Sequence, residues 1–194
     1  MHLHARHLWR YILRRWGTAA AALALTAVSY THGPTGRASS AAACSTAWGS
    51  GTKSATGASA APLKNIRTGR SACYDRMVFD LGGASGKAGY HVGYVDQFQQ
   101  DGSGEVIPVK GGAILEVFVS ASSYDPQTGK QTYAGKAGKP LPGVHLAGYE
   151  TFRDAEFGAS FEGQTQVGLG TRAKLPFRVF QSGNRLVVDV AHHR

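Results

Sequence analysis

The C-terminal stretch KLPFRVFQSGNRLVVDVAHHR, residues 174–194, predicts a β-hairpin. Two short apolar runs flank a Ser-Gly-Asn break, and Gly183-Asn184 suits a tight turn whose backbone needs positive φ. Apolar residues alternate along both arms of the hairpin: Phe177, Val179, Leu186, Val188 and Val190. The hairpin therefore supplies two strands of a protein core. The same alternation turns three charged side chains outward: Arg178, Arg185 and Asp189.

The same period of two recurs upstream, between residues 77 and 169. The apolar faces of these runs are Met77/Phe79/Leu81, Tyr90/Val92/Tyr94, Leu115/Val117/Val119, Ala155/Phe157/Ala159/Phe161 and Thr165/Val167/Leu169. Glycine-rich and polar breaks separate the runs, and we expect the glycines of VGLG (167–170) at turns or bulges. About seven or eight such strands in roughly 130 residues form a sandwich or a small barrel. We predict an all-β fold, a two-layer β-sandwich of short antiparallel strands.

Composition supports one globular domain with extra segments. The chain has 194 residues, 26 of them glycine, and only 17% are charged. The formal net charge is +9, yet residues 1–43 hold five arginines and no acidic residue, which leaves 16 basic against 12 acidic residues elsewhere. That excess is modest, and no basic stripe with interleaved aromatic residues occurs. We therefore expect no nucleic-acid partner.

The N-terminus has the pattern of a secretory signal peptide. A basic segment precedes the 11-residue apolar stretch Thr18–Val28, which is shorter than the approximately 20 residues of a membrane-spanning helix. We assign residues 1–30 to the signal peptide, 31–61 to a flexible Ala/Gly/Ser-rich segment and 62–194 to the β-sandwich domain. The mature chain is expected to be exported, secreted or cell-wall associated, without a transmembrane segment.

The chain contains two cysteines, Cys44 and Cys73. Two cysteines in an exported protein most simply form one disulfide bond. The alternative is a lipid anchor at Cys44, because the preceding alanines resemble a degenerate lipobox. However, the apolar core ends about fifteen residues earlier and position 41 is Ala rather than Leu. The disulfide is the preferred interpretation.

Five segments, taken together and in order, resemble the AMIN-like domain, which occurs in exported proteins and lipoproteins of actinobacteria. They are IRTGRSACYDRMVFDL (66–81), GYHVGYVD (89–96), IPVKGGAILEV (107–117), GYETFRDAEFGASFEGQTQVGLGTR (148–172) and LPFRVFQSGNRLVVDVAH (175–192). The resemblance implies a β-sandwich related to the AMIN domain. That domain is an envelope-targeting module found beside N-acetylmuramoyl-L-alanine amidases and pilus secretins, where it associates with peptidoglycan.

Motifs for nucleophilic catalysis and for metal binding are absent from the sequence: it has no G-x-S-x-G, H-E-x-x-H or C-x-x-C. We predict no cofactor and no metal, and we interpret His192-His193 as a frayed polar tail. Asp75 and Arg76 stand at a strand entry, where we expect a structural role.

The candidate ligand patch combines aromatic, basic and acidic side chains on one segment: Tyr149, Phe152, Arg153, Asp154 and Glu156. Aromatic rings stack on sugars, and polar groups bind hydroxyls and acids. At least one of Tyr149 and Phe152 is expected to be core, together with Phe157 and Phe161.

We predict a non-enzymatic binding module of the cell envelope, with peptidoglycan or a related glycan as partner. One alternative is a glycan-acting hydrolase that uses Asp154 and Glu156, whose Cα atoms on a strand lie about 6.6 Å apart. Against it, no neighbouring residue indicates a raised pKa. The other is a protein that docks an envelope enzyme through residues 120–142, a segment expected to be irregular and mobile.

Overall fold

The computed structural model describes residue 44 and residues 47–57, 61–83 and 86–194. The predicted signal peptide lies outside this part of the chain. The described residues form ten β-strands: β1 (Lys53–Ala55), β2 (Leu63–Arg70), β3 (Tyr74–Leu81), β4 (Tyr90–Val95), β5 (Ala113–Val119), β6 (Lys139–Pro140), β7 (Phe152–Phe161), β8 (Gln164–Thr171), β9 (Phe177–Ser182) and β10 (Arg185–Ala191). Eight of them are long, and β1 and β6 are edge strands of three and two residues.

The strands form two antiparallel sheets that pack as a β-sandwich, which confirms the predicted fold class. One sheet has six strands in the order β1-β4-β5-β8-β7-β6, and the other has four in the order β2-β3-β10-β9. Every pairing within both sheets is antiparallel. Since each sheet has one largely apolar face, stacking the two faces removes both from water.

The core lies between the sheets and follows the predicted alternation. Its largest fully buried side chains are Phe79, Phe152, Phe177, Leu63, Ile66, Met77, Leu115, Leu169, Leu186, Val92 and Val117. Both sheets contribute to this set. The inward positions of β3, β5 and β10 are those that the sequence pattern predicts.

The terminal hairpin is formed by β9 and β10, with Ser182 paired to Arg185 across a two-residue loop. Gly183 has a φ of 57°, the left-handed conformation expected of this turn. Asp189 lies on the outward face, as predicted, but it is not exposed to water. Its exposed fraction is 0%, because two arginine side chains cover it.

The prediction that Phe161 is core is wrong. Strand β7 shifts register between Phe157 and Ser160, where it contains one more residue than β8 opposite. A bulge of this kind moves all later side chains to the other face of the sheet. Phe157 is therefore buried, whereas Phe161 faces outward and is 50% exposed.

A segment between β4 and β5, residues 96–110, covers part of the outward face of the six-stranded sheet. We call it the strap. Its Phe98 is completely buried and lies over the backbone of β7 and β8, where a Cβ atom at Gly168 would be 2.6 Å from Phe98 Cδ1. Gly158 is covered by the same ring. The expectation that the glycines of VGLG lie at turns or bulges is therefore wrong for Gly168, which lies within a strand and permits this close approach.

Residues 120–142 are largely irregular but contribute three side chains, Ala121, Tyr133 and Leu141, to the core. The segment also contains the isolated bridge between Tyr124 and Gln131. Among the residues described, none belongs to a helix with the length and hydropathy needed to cross a bilayer.

Candidate functional site

Most side chains of the sequence-predicted patch pack against other residues of the fold or form hydrogen bonds with them. Phe152 is core, and it stacks on Tyr149 with ring centroids 5.8 Å apart. The guanidinium of Arg70 lies 5.7 Å from the Tyr149 ring centroid. Arg153 donates hydrogen bonds to the carbonyl oxygens of Tyr149, Phe152 and Glu150, so it braces its own loop. The expectation that at least one of the two aromatic residues is core is met by Phe152, and the patch as a ligand site stays a prediction.

Asp154 and Glu156 share the outward face of β7 but have different surroundings. The Asp154 carboxylate accepts hydrogen bonds from the backbone N–H groups of Lys110 and Ala155. Glu156 is 8% exposed, and no described residue forms a hydrogen bond with its Oε2. Burial, with the nearby charge of Asp154, raises the pKa of the Glu156 carboxyl. The sequence-based argument that no raised pKa occurs here is thus wrong, although neither carboxyl lines the two cavities described below.

The Glu156→Gln variant is expected to be more stable than the wild-type protein at pH 7. A folded-state pKa above the unfolded-state value means that the folded protein binds the proton more tightly. The free energy of unfolding therefore falls as pH rises from the unfolded-state pKa through the folded-state pKa. Glutamine does not ionise, so the difference should shrink below about pH 4.

Urea unfolding midpoints at both pH values test this expectation. Glu105→Gln, which neutralises an exposed carboxylate, is the matched control and should change the midpoint little. If the wild-type protein is at least as stable as Glu156→Gln at pH 7, the raised folded-state pKa of Glu156 is refuted.

One end of the sandwich is closed by a polar clamp made of Asp75, Thr151, Phe152 and His192. Asp75 of β3 is fully buried, and its Oδ2 accepts hydrogen bonds from the N–H groups of Thr151 (2.6 Å) and Phe152 (3.1 Å). Its Oδ1 lies 3.1 Å from Nε2 of His192, which is 3% exposed. The interpretation of His192 as part of a frayed tail is wrong, whereas Asp75 has the structural role expected of it.

A disulfide joins Cys44 to Cys73, as predicted. It uses the sulfur atom of Cys44 that a lipid anchor would need. Cys73 directly precedes β3, so the bond holds the chain around Trp48 beside the first residue of that strand. The rings of Trp48 and Tyr74 lie 5.8 Å apart between centroids.

The outward face of the four-stranded sheet carries two Arg-Asp-Arg groups side by side. In the first, Asp80 lies between Arg67 (Nε–Oδ2, 2.8 Å) and Arg185 (Nε–Oδ1, 3.3 Å). The second, around Asp189, has shorter contacts. Each group has two positive charges and one negative charge, so the face has a positive excess of two.

In the second group, Asp189 accepts from Nε of Arg76 at 2.6 Å and from Nε of Arg178 at 2.8 Å. The pairing of β10 with both β3 and β9 creates this geometry, because it places Asp189 opposite Arg76 on one side and Arg178 on the other. The two arginines are about one-third exposed while the aspartate is buried. The guanidinium groups are therefore fixed in position and still reach solvent.

Aromatic rings surround the second group. The guanidinium carbon of Arg178 lies 4.4 Å from the Trp48 ring centroid, 5.4 Å from that of Tyr74 and 5.2 Å from that of Phe180. These distances are within the range of cation–π attraction. Arg178 bonds to Asp189 only through Nε, so its terminal N–H groups have no acceptor among the described residues. We call this surface the arginine–aromatic face: Trp48, Arg67, Tyr74, Arg76, Arg178, Phe180 and Arg185.

Sequence reasoning missed this face because its members are far apart in the chain. Arg76 and Asp189 are separated by 113 positions and meet only through the register of β3 and β10. Alternation does turn Arg178 and Arg185 outward. It does not indicate that they align with Arg76 and with a tryptophan that a disulfide holds.

The AMIN-like domain is the protein family whose model matches this chain, and the match covers residues 61–192. No curated protein matches the chain, and no solved structure does. The matched range contains all strands from β2 to β10 and therefore the whole four-stranded sheet. Since the match spans well over half of the 194 residues, the chain belongs to the AMIN-like domain family.

Proposed function

We propose that this protein is an exported, non-enzymatic module that binds peptidoglycan or a related anionic glycan of the cell envelope through its arginine–aromatic face. Family membership indicates an envelope-associated module, and AMIN-like domains are generally binding or targeting domains. The Cys44–Cys73 disulfide is typical of a protein outside the cytoplasm. The signal-peptide pattern of residues 1–30 agrees with this location.

The observation that carries the proposal is the position of Arg178. Its guanidinium lies among three aromatic rings, and its terminal N–H groups make no hydrogen bond within the described residues. Peptidoglycan combines sugars, whose C–H faces stack on aromatic rings, with carboxylates on its stem peptides. Guanidinium groups bind carboxylates through strong charge-assisted hydrogen bonds. The face therefore offers complementary groups for both parts of such a polymer.

Sedimentation with purified sacculi tests the proposal. We expect the wild-type protein to sediment at low salt and to be released as ionic strength rises, because exposed charges are screened. Arg178→Ala should bind about tenfold more weakly, the loss expected of one charge-assisted hydrogen bond. Sacculi whose carboxyl groups have been amidated should retain much less wild-type protein.

Two variants serve as controls in the same experiment. Lys130→Ala removes a positive charge from the loop after β5 and should sediment like the wild type. Arg153→Ala tests the patch predicted from the sequence and should also bind normally if the arginine–aromatic face is the site. A protein that stays in the supernatant at low salt, or an Arg178→Ala variant with unchanged binding, would disprove the proposal.

A further inference from the structure

The outward face of the six-stranded sheet contains a trough that the proposed function does not use. Its larger part is a cavity of about 510 Å³ between the strap and strand β5, with Phe118 and Gln166 among its lining residues. A second cavity of about 400 Å³, bounded by Ala113 and Lys174, shares Val95 with the first. Val95 of β4 therefore borders both cavities on this face of the sheet, and the two cavities together define the trough.

The larger cavity is rich in side-chain amides. Gln166 is used by the fold, because its Nε2 donates to Gln99 O and Glu116 Oε1 while its Oε1 accepts from Asp101 N. Three other glutamines that line the cavity make no side-chain hydrogen bond within the described residues: Gln97, Gln99 and Gln100. Each such amide offers two donors and an acceptor.

Aromatic rings border these amides. Phe118 is half-buried on the wall of the larger cavity. Phe161 is 50% exposed, and its Cδ1 lies 4.0 Å from the position that a Cβ atom at Gly102 would occupy. Since Gly102 lines the cavity, Phe161 stands at its rim. An exposed aromatic ring beside free amides is an arrangement suited to the C–H faces and the polar groups of a sugar.

The charged side chains of the larger cavity determine which class of sugar can bind there. The charged side chains that line the larger cavity, Asp101 and Glu116, are both acidic, so an anionic ligand would be repelled. A side-chain amide pairs with the acetamido group of an N-acetylated sugar through complementary donor and acceptor. We propose that the trough binds an uncharged linear oligosaccharide bearing acetamido groups. This site lies on a different sheet from the arginine–aromatic face and shares none of its residues, so separate variants test the two sites.

Titration of the ¹⁵N-labelled protein with the N-acetylglucosamine tetramer, followed by NMR, tests the proposal. We expect shift changes at the amides of residues 97–104 and 118, saturation at millimolar sugar and weaker binding of the glucose tetramer, which lacks acetamido groups. Phe161→Ala and the double variant Gln97→Ala/Gln99→Ala alter exposed side chains, so they should fold normally and bind about five- to tenfold more weakly. Arg178→Ala should bind the tetramer like the wild type.

The outcomes separate the two proposals. If the protein binds sacculi normally but does not bind the tetramer, the trough proposal is overturned and the arginine–aromatic face is unaffected. If Arg178→Ala abolishes tetramer binding, the two sites are not separate. Preference for the de-N-acetylated, cationic tetramer would overturn the choice of an uncharged ligand. A dimer in sedimentation analysis that Phe161→Ala converts to a monomer would identify a self-association surface and overturn the assignment to a sugar.

Discussion

Asp75→Ala is expected to lower the free energy of unfolding by about 3–5 kcal/mol, the largest effect that we predict for a single substitution. Asp75 is fully buried and serves three partners in the polar clamp. Its loss would leave two buried N–H groups without an acceptor and would remove the carboxylate beside the His192 ring. The clamp joins β3 of one sheet to the start of β7 in the other, so the variant would weaken the packing of the two sheets.

Equilibrium unfolding in urea measures this loss. Asp80→Ala is the matched control, since Asp80 lies on the same strand and contacts two arginines from a partly exposed position. Exposed ion pairs contribute little, so the control should cost no more than about 1 kcal/mol. A double-mutant cycle with His192→Ala should be strongly non-additive, because both single changes break the same contact. Equal losses for Asp75→Ala and Asp80→Ala would contradict the role given to the clamp.

Replacing both cysteines, Cys44→Ser/Cys73→Ser, is expected to cost about 3.6 kcal/mol by the chain-entropy account of a closed loop of this length. The two cysteines are 29 residues apart, and the bond restricts that loop in the unfolded chain. The variant should also bind sacculi more weakly than the wild type, because the segment that positions Trp48 against Tyr74 and Arg178 loses its covalent attachment.

Chemical denaturation with and without a thiol reductant, combined with sacculus sedimentation, checks both expectations. The reduced wild-type protein should behave like the double variant, and reductant should leave the variant unchanged. Trp48→Ala separates the two effects: it should weaken binding as the double variant does while losing much less stability. A double variant with wild-type binding would show that the disulfide has no part in positioning the face.

The sequence predicts the core of this fold because a strand leaves a local signature. Alternation in β3 and β10 identifies which side chains face inward, and Gly183-Asn184 identifies the turn that reverses the chain. The disulfide follows equally from a count of two cysteines in a chain that begins with the pattern of a signal peptide. The strand and turn predictions depend on residues near one another in the sequence. The disulfide prediction depends on there being only two cysteines to pair.

The predictions that proved wrong concern residues whose surroundings are set by contacts between segments distant in the sequence. Phe161 faces outward, against the predicted alternation, because β7 has one extra residue relative to β8 and the pattern reverses after it. His192 is buried by contacts with Asp75 and Glu150, which no local pattern connects to it. Gly168 of β8 lies under Phe98, which belongs to a segment about seventy residues earlier. The candidate site also depends on distant segments, since four strands and a disulfide must align before the arginines and aromatic rings form one surface.

The short outermost strands of the six-stranded sheet limit intermolecular strand pairing when the protein is concentrated. Strand β1 has three residues and β6 only two, Lys139 and Pro140, of which proline has no backbone N–H to donate. Short borders with lysine and proline oppose the intermolecular strand pairing that leads to aggregates. The borders of the six-stranded sheet would therefore resist edge-to-edge pairing where the protein accumulates on a polymer surface as proposed.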